Sequence, residues 1–149
     1  MSVSEIAFVV VVSLNLLWFG AGFHFFSLKS EAAARLLVPR SVRASPVFAT
    51  IAASVRFLGG MNLALALLAL LVLLNLATFG EPGQRAVFAL VFAVAHGSQF
   101  YFNVPIALGG GRIGEALWPV LSGPMRFIFL VDATLMTVNA IMCVTLVTA

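Results

Sequence analysis

Residues 51–74 read IAASVRFLGGMNLALALLALLVLL, an apolar stretch broken by a single charge, Arg56. A helix needs about 20 apolar residues to cross the hydrocarbon of a bilayer, so this stretch predicts a transmembrane span. Working outward from it, the same pattern recurs three times. Spans are expected at about residues 6–28, 47–78, 86–108 and 125–147. The second is longer than one perpendicular crossing requires and is expected to tilt, or to begin in the interface before Arg56.

Composition points the same way. The 149 residues are 62% hydrophobic and 9% charged, with a mean hydropathy of +1.15. A soluble domain carries roughly a quarter charged residues, so a soluble fold would leave most of its surface apolar. The net charge of +3 does not read as a nucleic-acid footprint, because the basic residues are scattered and flank the apolar spans. By its chemistry the start of the chain is expected to be a retained first span rather than a secretory signal. It carries Glu5 and no Lys or Arg, its apolar run exceeds signal length, and no small-x-small site closes it. Cys143 is the single cysteine, which excludes an intrachain disulfide and a thiolate metal cluster.

The fold class expected is therefore all-α: one integral membrane four-helix bundle, antiparallel and up-down. Lys29, Arg35, Arg40 and Arg43 follow the first span, Arg112 and Arg126 follow the third, and Arg85 stands alone between the second and third. Basic loops mark the cytoplasmic side, so both termini are expected on the outer side. Glu81-Pro82-Gly83 is a short turn joining the second and third spans as a hairpin. Residues 30–35 (SEAAAR) have helix-forming composition and are either a short surface helix or a solvated loop. Residues 109–114 (GGGRIG) match G-x-G-x-x-G, but they leave a membrane span rather than a strand, so a flexible hinge is expected instead of a dinucleotide turn. Small residues at Ala89, Ala93 and Gly97, and at Gly60 and Ala64, are expected to be helix-packing seams.

The polar residues inside the spans carry the functional reading. His96, Gln99 and Asn103 share one helical face, as do Asp132, Met136, Asn139 and Cys143. On the first span Ser13, Leu17, Gly20 and His24 share a face, with Asn15 pointing nearly opposite. Counting depth at about 1.5 Å per residue gathers His24, Arg56, His96, Gln99, Asn103 and Asp132 into the cytoplasmic half. An ion in hydrocarbon is costly, so Arg56 and Asp132 are expected to pair, either as glue fixing helix register or as the polar floor of a pocket. In the second case the ligand would be a lipid, sterol, quinone or similar amphiphile, with Phe25, Phe26, Phe100, Tyr101, Phe102 and Trp118 near it. His24, His96 and Asp132 could supply acid/base chemistry to a small membrane enzyme built on the same pocket, but no nucleophile motif or paired metal-ligand spacing is present, so no catalytic or metal residue is assigned and no cofactor is expected beyond a bound lipid or quinone. A b-type haem would need His24 and His96 at one depth, whereas His96 lies nearer the bilayer middle. A pore would need polar residues continuing to the outer side, where the spans are Leu, Val, Ala and Phe.

Residues 53–57 (ASVRF) in the second span and 92–100 (FAVAHGSQF) in the third, followed by a Pro- and Gly-containing loop and a last apolar span, carry a resemblance. The chain resembles the small four-span proteins of the ergosterol-biosynthesis scaffold family and, more loosely, the DoxX-like families. In the scaffold family an Arg in the second span and a His followed by an acid in the third look similar, and here Gln99 stands where that acid would be. The resemblance implies a non-catalytic accessory or scaffold subunit that tethers or supports a membrane enzyme or redox complex. Its partners would be membrane lipids and another integral membrane protein. The preference for Arg over Lys, with abundant Ala and Val, points to a GC-rich bacterium and its inner (plasma) membrane.

Overall fold

A computed structural model describes residues 2–148. It is all-α in character, with five helices: α1 Val3–Phe23, α2 Ser30–Leu37, α3 Pro46–Leu74, α4 Pro82–Leu108 and α5 Gly123–Val147. Four of these elements are long and apolar enough to cross a membrane: Val3–Leu28, Pro46–Leu74, Pro82–Leu108 and Gly123–Val147. In hydrocarbon every backbone N–H and C=O must find its partner within the segment, which is why these runs are helical whatever their residue propensities. The chain is accordingly a multi-pass membrane protein.

The helix starts follow from local chemistry. At α1, Ser2 Oγ accepts the Glu5 N–H at 3.2 Å while Glu5 Oε2 accepts the Ser2 N–H at 2.8 Å, a reciprocal capping box. Pro46 and Pro82 open α3 and α4 at a position where a missing N–H costs nothing. The end of α1 widens into a π-helical turn, His24–Leu28, closed by the Lys29 N–H on the His24 carbonyl at 3.2 Å. Residues 30–37 are indeed a helix, with Ser30, Ala33 and Ala34 buried.

The glycine-rich segment after α4 is not the loose hinge expected. It forms a two-residue-stranded hairpin, β1 Arg112–Ile113 with β2 Ala116–Leu117. Gly110, Gly111 and Gly114 take positive φ values of 75°, 77° and 58°, which L side chains rarely adopt. The Trp118 N–H closes back on the Gly111 carbonyl at 2.7 Å.

Contacts divide the chain into two compact units, and α1 and α3 contribute residues to both. The first unit takes the residues up to Asn15 and those from Leu71 onward. In it α4 and α5 pack antiparallel: Phe100 stacks on Phe129 with centroids 4.8 Å apart, and a Cβ on Gly97 would meet the Met136 side chain at 3.3 Å. The Ala89, Ala93, Gly97 seam thus serves an internal helix pair, with Ala89 and Ala93 buried. Arg85, read from sequence as a lone loop cation, is a buried residue of α4. It donates to the Phe79 carbonyl at 2.8 Å and to Glu5 at 3.3 Å, and its guanidinium lies 5.6 Å from the Phe8 ring centre.

The second unit spans Leu16–Leu70. The seam expected at Gly60 and Ala64 faces outward there, with no atom near a Cβ built on Gly60. The buried stripe of α3 is one position earlier, at Ala52, Val55, Gly59, Asn62, Ala66 and Ala69. Gly59 lies directly against Ser27, whose backbone nitrogen would be 2.6 Å from an added Cβ, and Ser27 Oγ donates to the Arg56 carbonyl at 3.2 Å. Gly59→Ala is therefore expected to destabilise the protein by about 1–3 kcal/mol through overpacking. Gly60→Ala, one residue away, should be neutral or slightly stabilising. Thermal unfolding in detergent separates the two, and equal effects would refute this placement of the seam.

Candidate functional site

Four side chains of the first unit form one buried polar network. Asn15 comes from α1, His96 from α4, and Asp132 and Asn139 from α5. Asn15, His96 and Asn139 are 0% exposed and Asp132 is 2% exposed, in helices otherwise apolar at this level. His96 lies 14 residues after Pro82 and 12 before Leu108, Asn15 is equally central in Val3–Leu28, and Asp132 and Asn139 straddle the middle of α5. The network therefore sits at mid-span.

Its hydrogen bonds can be followed donor by donor. Asn15 Nδ2 donates to the Val11 carbonyl at 2.8 Å, and Asn139 Nδ2 donates to the Leu135 carbonyl at 2.8 Å. A carbonyl oxygen only accepts, so these two bonds fix the orientation of both amides. The amides then pair reciprocally, Asn15 Nδ2 to Asn139 Oδ1 at 3.0 Å and Asn139 Nδ2 to Asn15 Oδ1 at 3.2 Å. The second lone pair of Asn15 Oδ1 faces His96 Nε2 at 3.0 Å, so Nε2 carries a proton and donates it. On the other side of the ring, His96 Nδ1 stands 2.9 Å from Asp132 Oδ1. One proton bridges that contact, and on whichever atom it rests the His96–Asp132 pair has no net charge. That neutrality lets an acid and a base share hydrocarbon without a counter-ion. Among the described residues no buried side-chain nitrogen or oxygen lacks a partner.

The expected six-residue layer is thus only partly assembled. His96 and Asp132 are brought together, and the partner of Asp132 is His96 rather than Arg56. Arg56 belongs to the second unit, is exposed, and donates from Nε to Ser30 Oγ at 3.2 Å. His24 is also exposed and contributes its carbonyl to the π-helical turn. Gln99 is half-buried, and its carbonyl accepts Asn103 Nδ2 at 2.7 Å. Asn103 Oδ1 in turn accepts the indole N–H of Trp118 at 2.9 Å, tying the segment after the hairpin to α4.

Asn15 and Asn139 were the residues not assigned to the network. Asn139 shares the helical face of Asp132, and Asn15 points nearly opposite the face of Ser13, Leu17, Gly20 and His24. The buried face is instead Phe8, Val11, Val12, Asn15 and Phe19, while Leu17 is 69% exposed. The bulk of Phe8 and Phe19 at helical spacing from Asn15 was the available signal.

The chain matches no family model, no curated protein and no solved structure. What the site does must therefore be read from its own atoms. Among the described residues no group of three or more His, Cys, Asp or Glu side chains could hold a metal ion. The His96–Asp132 pair is buried and both ring nitrogens of His96 are engaged, so the network's hydrogen bonds tie α1, α4 and α5 to one another.

The proton count gives a sharp test. In Asp132→Asn an amide N–H can replace the bridging proton and donate to Nδ1, so stability should fall by no more than about 1 kcal/mol. Asp132→Ala leaves Nδ1 facing nothing and should cost about 3 kcal/mol. Arg56→Gln, at an exposed position, should change stability by less than about 0.5 kcal/mol. Comparable losses for the two Asp132 variants in detergent unfolding would contradict the shared-proton network.

Proposed function

We propose that this protein is a non-catalytic accessory or scaffold subunit of a membrane complex, docking a partner helix on the outward face of α3. The observation that carries this reading is the division of labour on that helix. On its buried stripe Gly59 meets Ser27 and Asn62 meets Gly22, while Gly60 and Ala64, one turn apart, are exposed beside Phe57, which is 82% exposed, and Met61. Lipid tails are as apolar as leucine, so helices associate in a bilayer through close packing, and small residues four apart permit that approach. A position facing only lipid has no need to be small. The closed polar network supports the non-catalytic part of the reading, since its donors and acceptors are used on one another.

In this proposal the protein lies in a bacterial inner membrane with both termini outside and the basic segments after α1 and α4 on the cytoplasmic side. The supported partner would be an integral membrane enzyme or redox complex, as the resemblance to the scaffold and DoxX-like families implies. After gentle solubilisation from native membranes, the wild-type chain should migrate in a complex well above its own 15.8 kDa. Gly60→Leu and Ala64→Leu should each release it while leaving its unfolding temperature unchanged. A wild-type chain that runs alone would end the accessory reading.

A further inference from the structure

Arg56 is costly where it stands, in a membrane-length helix, and among the described residues it forms no ion pair with an acid. Its side chain opens on a cleft of about 410 Å³ whose polar lining is Lys29, Ser30, Glu31, Arg35 and Arg56. All belong to the second unit. Three cations and one carboxylate leave this cleft with two positive charges. Arg43, the neighbouring basic residue, is used elsewhere: it donates to the Val38 and Arg35 carbonyls and pins the end of α2.

We propose that the cleft binds the phosphate headgroup of an anionic phospholipid. Three observations converge on that ligand. Ser30 is buried and accepts from Arg56 Nε, which fixes the guanidinium. Among the described residues its Nη groups have no hydrogen-bond partner, and a guanidinium edge with free parallel donors matches two oxygens of a phosphate. Lys29 and Arg35 add charge from the same cleft, as headgroup sites beside membrane helices do for anionic lipids. Finally, the cleft borders apolar surface rather than open water alone. Leu28 lines it and is 66% exposed, so an acyl chain has a wall to lie along. A small soluble anion would use the charges and leave that wall bare. The site is independent of the docking face, since Gly60 and Ala64 do not line it.

The test uses the full-length chain in detergent, titrated with dihexanoyl phosphatidylglycerol, dihexanoyl phosphatidylcholine and inorganic phosphate, and read by native mass spectrometry. Phosphatidylglycerol should bind tightest. At roughly one unit of cationic attraction per residue, Arg56→Gln should weaken it about fivefold and the Lys29→Gln, Arg35→Gln double variant about thirtyfold. Glu31→Gln should tighten it about fivefold, and Arg40→Gln, which removes a charge outside the cleft, should leave it unchanged. Lys29 and Arg35 are exposed, so the double variant keeps the fold even where Arg56→Gln does not. Three results would overturn the proposal: a loss for Arg40→Gln equal to that for Arg56→Gln, which means diffuse surface charge; inorganic phosphate binding as tightly as phosphatidylglycerol, which means a free-anion site; or no preference for phosphatidylglycerol over phosphatidylcholine.

Discussion

The contact between His96 Nδ1 and Asp132 Oδ1, 2.9 Å long and central in the spans, is the constraint around which the first unit is arranged. Hydrocarbon supplies no donors or acceptors, so an acid placed there must bring its own proton partner, and the partner must bring its own next partner. The sequence of consequences runs across three helices. Asp132 fixes one side of the imidazole, the imidazole donates to Asn15, and Asn15 locks with Asn139, two turns further along the same face of α5 as Asp132. A one-residue rotation of α1, α4 or α5 would leave buried polar atoms unpaired, at about 1–3 kcal/mol each. Apolar contacts between the same helices discriminate register far less, because sliding one leucine past another in lipid changes little.

The second unit solves its polar problem differently. Its intramembrane charge, Arg56, is held by one hydroxyl and directed into a cleft with Lys29 and Arg35, rather than being buried against an acid. The close approach of Gly59 to Ser27 sets where that cleft forms, because the α3 backbone carrying Arg56 also accepts from Ser27. A glycine one position along, Gly60, is free of such contact and remains on the outside. Two adjacent glycines thus do opposite jobs: one permits an internal crossing, the other leaves the outer surface smooth.

These two arrangements bear on function in complementary ways. The core network spends its donors and acceptors on one another and so joins α1, α4 and α5. The exposed features, a smooth face on α3 and a cationic cleft beside α2, are where the protein has capacity left over for other molecules.

By itself the sequence determined that the chain is helical and membrane-spanning, and it located the four spans to within a few residues. Length and hydropathy suffice for that, because the bilayer demands about 20 apolar residues per crossing and internal satisfaction of the backbone. It also singled out His96 and Asp132 as partners for something. Only the tertiary structure decided which partner each received. In water a helix announces its inner face by being apolar on one side, but in lipid both sides are apolar, so on α1 only the bulk of Phe8 and Phe19 around Asn15 marked that face, rather than the face of Leu17 and His24, as the inner one. Depth counted along the chain aligned Arg56 with Asp132. The rotation of each helix about its axis, set by close contacts such as Gly59 on Ser27, gave Asp132 to His96 and Arg56 to Ser30.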